Sequence, residues 1–125
     1  MTLGEIVRLL DCTVITGDDL LETEVEACFA ADLMSDVLAF SRAGALMVTG
    51  LASIQSVHAA DVADLRAILF VHDKRPEPPV VEAARGKGLP LLTTPRLMFE
   101  TCGLLFGLGL KAAGKEEPRG LRPAL

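Results

Sequence analysis

Tryptophan and tyrosine are absent, and aromatic residues make up only 4% of the 125-residue chain. So few rings disfavour stacking on single-stranded nucleic acid. The formal net charge of -5 disfavours binding to a phosphate backbone as well, so no nucleic-acid partner is expected. Cysteine is sparse and odd in number: Cys12, Cys28 and Cys102 lie far apart, with no C-x-x-C. That usage fits a reducing cytosol rather than a disulfide framework, and Cys28 and Cys102, set in apolar runs, read as small core residues. No basic segment followed by an apolar stretch opens the chain at Met1–Glu5, so no secretory leader is expected. The longest apolar run, Leu97 to Leu110, is interrupted by Glu100 and is too short to span a bilayer. The expectation is a soluble cytoplasmic protein with no membrane partner.

Motifs that announce chemistry are also missing. There is no G-x-x-x-x-G-K-[ST], and no G-x-G-x-x-G opens a helix after a strand, so neither common phosphate-cradling loop is available. No G-x-S-x-G elbow occurs, which argues against a serine hydrolase of the usual α/β type. His58 and His72 have no Cys or carboxylate at a ligand-like spacing. Neither a metal, nor a cofactor, nor a catalytic residue is assigned.

What is present is size and periodicity. The length suits one domain that buries roughly two-thirds of its unfolded surface, and half the residues are hydrophobic. Four aliphatic runs each end in small polar residues and pass to a helix-spaced segment. The handovers are Ala31–Asp36, Val48–Ser53, Val71–Pro76 and Leu92–Pro95. Strand followed by crossover helix, repeated, predicts an α/β three-layer sandwich with a mostly parallel sheet, with all four handovers at one sheet edge. Thr2 and Glu5 form a capping-box pattern ahead of the Leu3–Ile6–Val7–Leu10 stripe. Thr13–Thr16 reads as a short strand and Pro79 as the first residue of a helix. Thr94–Pro95 opens a final helix that is apolar nearly all round, a pattern of burial on two sides. Its second side is expected to face a subunit, with Phe99, Gly103, Phe106 and Gly107 at the interface. The domain is placed at 1-110, and 111-125, lacking periodicity, is expected to be a disordered tail.

Charge is uneven: residues 1–40 carry nine acids and one base, Arg8. That is either a solvated face or a docking surface for a basic partner. Asp32, Ser35 and Asp36 are explained as helix caps and first-turn acids, or else as ligand groups at a strand end. Thr49, Ser53 and Thr93 are explained individually in the same bland way, yet their common rim would present hydroxyls and amides to a small anion. These six residues form the candidate ligand site, with Lys74 and Arg75 near the same edge.

The body from Leu3 to Leu110 resembles a stand-alone DRTGG-domain protein. The resemblance rests on Ala31–Leu38, on Leu46–Thr49 after a Gly44 turn, on Ala67–Val71, and on Ala83–Thr94 before the closing helix. The pentapeptide that names the family is replaced by Glu24–Cys28. The resemblance implies a fold similar to the amino-terminal domain of HPr kinase/phosphorylase, without that enzyme's P-loop domain. Such domains accompany CBS modules in regulatory pyrophosphatases and occur as small proteins beside iron-only hydrogenase components. The implied role is a non-catalytic regulatory or small-ligand-sensing module, homodimeric, taking a small anionic or nucleotide ligand. The alternative is an interaction subunit of a redox enzyme system.

Overall fold

The structure, a computed structural model, describes residues 1–114. The chain folds into a six-stranded sheet of order β1-β5-β4-β3-β2-β6. The strands are β1 (Thr13–Thr16), β2 (Ala27–Ala30), β3 (Leu46–Thr49), β4 (Ala67–Phe70), β5 (Leu91–Thr93) and β6 (Lys111–Ala112). β2 to β5 pair in parallel with one another, and β6 pairs in parallel with β2. Among the described strands only β1, set against β5 with a register irregularity between Val14 and Thr16, is antiparallel.

The helices are α1 (Leu3–Leu9), α2 (Met34–Phe40), α3 (Ile54–Val62), α4 (Pro78–Gly86) and α5 (Met98–Gly107). Because β2, β3, β4 and β5 lie side by side in chain order, same-handed crossovers put α2, α3 and α4 on one face. There Val37, Val57, Ala60 and Ala84 pack on Met47, Ile68 and Phe70. α1 and α5 cover the other face, where Leu3, Ile6, Leu10 and Leu105 pack on Leu46, Val48 and Leu69. Every residue of β3 and β4 is buried, as expected for strands covered on both sides.

Local signals explain most ends. The capping box forms as its residues dictate: the Glu5 amide donates to Thr2 Oγ1 at 3.1 Å and the Thr2 amide to Glu5 Oε1 at 3.0 Å. Gly17 has φ +98°, and a Cβ there would sit 2.8 Å from Pro90, so glycine is required where β1 turns past the entry to β5.

Several expectations are corrected. The ordered body does not stop at Leu110: Lys111–Ala112 form β6 and Ala113 is buried. Residues 115–125 of the expected tail lie outside the described residues. Pro78, not Pro79, is the first residue of α4, with Glu77 as its N-cap. α5, expected to set one side on its own sheet and a second against a subunit, has that second side uncovered among the described residues. Only Thr101 and Leu105 are buried along it, while Phe99 is 91% and Phe106 76% exposed.

Candidate functional site

Parallel pairing of β2, β3, β4 and β5 brings the four handovers to one rim, where open α/β sheets bind ligands. Asp32, just past β2, does not cap α2. The N-cap position of α2 is Leu33, and no side chain accepts its free amides. Asp32 instead reaches across to the next loop. Its Oδ1 accepts the Gly50 amide at 2.7 Å and the Thr49 hydroxyl at 3.1 Å. Thr49 Oγ1 in turn accepts the Leu51 amide at 3.1 Å, so one carboxylate oxygen ties the β2 and β3 exits together.

Ser53 holds the N-cap position of α3, but its hydroxyl makes no capping bond and is buried without a partner. The first-turn amides of α3 are therefore free of side-chain acceptors. Thr94 is no cap either: its hydroxyl donates to the Leu10 carbonyl at 2.7 Å, and Leu97 stands at the start of α5.

A cleft of about 570 Å³ opens between α2 and α3 at this rim. That is within the range of roughly 300–1,000 Å³ usual for small-molecule sites. Leu33, Leu38, Leu51 and Ile54 form apolar walls, and Asp32, Ser35, Gln55 and His58 supply polar groups. Leu33, Leu38 and Ile54 are 61%, 45% and 52% exposed, so among the described residues the walls have no covering layer.

The six rim residues thus divide. Asp32 and Ser35 line the cleft, and Thr49 stands behind Asp32. Asp36, in the first turn of α2, and Ser53 lie beside it without lining it. Thr93 is two strands away, and its hydroxyl donates to the Lys74 carbonyl at 2.8 Å. At that far part of the rim the His72 and Asp73 amides are bonded to the Arg96 and Thr94 carbonyls. Arg75 is paired with Asp73 at 3.0 Å. Those donors are used internally. His58, Gln55 and Ile54 were not picked out by the sequence. No periodic signal marked them: α3 hardly separates apolar from polar faces, and only its packing beside α2 brings these exposed residues to one cleft.

The thiols have little nucleophilic character. Burial pushes Cys28 up to about 12, with Cys102 nearby adding to it, and pushes Cys12 up to about 11 against the opposing pull of Arg96. Cys102 is raised by burial too. Among the described residues no group of three or more His, Cys, Asp or Glu side chains is placed to hold a metal ion. No helix of the described residues is long and apolar enough to cross a membrane.

The DRTGG-domain family model matches residues 5–107. The chain belongs to the DRTGG-domain family. No curated protein matches it significantly. A similar solved structure is the CBS and DRTGG region of the regulatory portion of Clostridium perfringens pyrophosphatase, complexed with its activator diadenosine tetraphosphate. The likeness has a TM-score of 0.69 at 11% identity and covers 93% of this chain and 51% of that one, so this chain spans about half its length.

Proposed function

We propose that this protein is a non-catalytic regulatory module that senses a small ligand, with the α2–α3 cleft as its site. The observation that carries this reading is the cleft itself, apolar-walled, edged by a few polar groups and set at the carboxyl ends of parallel strands. The apolar walls suit a ring such as a nucleobase. The uncapped first turn of α3, with the unpartnered Ser53 hydroxyl beside it, suits a negatively charged group. A nucleotide combines the two. The similar region of the pyrophosphatase is regulatory and was solved with a nucleotide activator, which supports the same class of ligand. The ordinary chemistry of the site agrees with sensing: the one carboxylate that lines it is engaged in holding two loops.

In this reading the module is cytoplasmic and works as a homodimer through the exposed face of α5. The redox-enzyme alternative would place a foreign protein on that same apolar face, whose Phe99 and Phe106 stay open to solvent in the single chain. A thermal-shift series with diadenosine tetraphosphate, ATP, AMP, adenosine and inorganic phosphate tests the sensor. A rise in Tm with at least one nucleotide, weakened by Ile54→Glu in the cleft wall, is the expected result. No rise with any of them contradicts it.

A further inference from the structure

Sulfur is gathered on one side of α5. Met98 and Cys102, four residues apart, are neighbours on the same face of the helix, and Cys102 Sγ donates to Met98 Sδ at 3.8 Å. Cys28 of β2 packs into the same layer of the core. Cys28 and Cys102 both line an almost wholly apolar groove of about 370 Å³ that runs beside the helix. The two thiols are close enough that charge on Cys102 opposes ionisation of Cys28. Cys12 stands apart from this group: it does not line the groove, and its thiol donates to the Ile6 carbonyl at 3.8 Å.

Sulfur donors with no hard donor beside them select a soft ion. Among the described residues the groove's lining includes no histidine, aspartate or glutamate, so zinc would lack the four ligands it usually takes. Cu(I) is satisfied by two thiolates and a thioether. Metal–sulfur bonds of about 2.3 Å, opened to the ~120° of a trigonal site, hold two sulfurs about 4 Å apart. The separation of Cys102 Sγ and Met98 Sδ, 3.8 Å, is close to that. Charge agrees as well. Two thiolates around one monovalent cation leave a single negative charge, and the only charged side chain among the described lining residues is the ammonium of Lys111.

We propose that Cys28, Cys102 and Met98 form a binding site for a soft monovalent metal ion, with Cu(I) as the ion whose chemistry fits. Each thiol passes its proton to solvent as its metal–sulfur bond forms, so one ion displaces two protons and keeps its oxidation state. Met98 donates a lone pair and releases no proton. Leu105, Leu110 and Phe106 surround the ion with apolar surface. The site lies on the opposite layer from the α2–α3 cleft and depends on no ligand bound there.

Anaerobic titration of the full chain with Cu(I) held by the chromophoric chelator bicinchoninate tests the proposal. Wild type and Cys12→Ser should each withdraw one equivalent per chain. Cys28→Ser and Cys102→Ser should each lose most of that uptake, and Met98→Leu should hold the ion about tenfold less tightly. No withdrawal by wild type would overturn the proposal, as would equal losses in Cys12→Ser and Cys28→Ser. Unchanged affinity in Met98→Leu would remove the thioether and with it the three-sulfur site. One ion per two chains would place the metal between copies and contradict it too. A second measurement needs no variant. In ¹H–¹⁵N spectra of the wild type, diamagnetic Cu(I) should move the amides of residues 27–30 and 98–105, and shifts centred on Cys12 instead would overturn the assignment.

Discussion

Asp32 shows how far single residues could be read. Its place at a strand exit was legible, because an aliphatic run stopped there. Its bond was not, because the acceptor serves Gly50, eighteen positions on, and only the sheet brings that loop alongside. Ser53 and Thr94 failed as caps in different ways: the Thr94 hydroxyl is drawn to the Leu10 carbonyl, a backbone group far off in sequence, whereas Ser53 holds the cap position with its hydroxyl unpartnered. The cysteines were read as core, and their half-buried setting holds them protonated. Their pH consequence follows directly. Free thiols ionise near pH 8.5, so above that the unfolded chain loses protons that Cys28 and Cys12, at about 12 and about 11, retain when folded. The stability they contribute is fully present below that pH and is lost as pH rises through 9 to 12. Urea midpoints should fall between pH 8 and 10.5, less steeply in Cys28→Ala; equal slopes in the two proteins would contradict the assignment.

At the scale of elements, the best-signalled pieces formed where the pattern put them. The Thr2–Glu5 box starts α1, and the aliphatic runs of β3 and β4 are buried on both faces. β6 carried no signal, since two residues, Lys111 and Ala112, show no period and are fixed by pairing with β2. The direction of β1 was equally silent, because an isolated Thr-Val-Ile-Thr suits either orientation. α5 was legible as an apolar helix with one side turned away from its own sheet, but not how few of its residues the sheet buries, Thr101 and Leu105 alone. The join between the β2 and β3 exits is an element-scale property carried by one side chain. Asp32→Ala should cost about 1–2 kcal/mol in urea unfolding, two hydrogen bonds at the ordinary net value of roughly 0.5–1.5 kcal/mol each, since the acceptor is open to water. Asp32→Asn, which keeps an acceptor oxygen, should cost less. Equal stability of wild type and Asp32→Ala would mean the two loops are held by other contacts.

Taken whole, the molecule has two faces of different character. α2 and α3 frame a cleft at the sheet's carboxyl edge, and α5, on the opposite layer, presents an apolar ridge and groove. The layered parallel body was legible because four strand-to-helix handovers recur in order, and consecutive crossovers leave few other arrangements. The composition of the cleft was only half legible. Periodicity separates buried from exposed positions, and Leu33, Leu38 and Ile54 are apolar yet exposed, a combination that a single helix cannot reveal. The sensor reading stands on that cleft. Its most direct test is a ¹H–¹⁵N NMR titration of the full chain with diadenosine tetraphosphate and ATP. The account predicts saturable shifts concentrated at residues 32–38 and 51–59, abolished by Ile54→Glu in a variant that keeps the wild-type spectrum elsewhere. Saturable shifts clustered outside those two segments, or none at millimolar ligand, would contradict it.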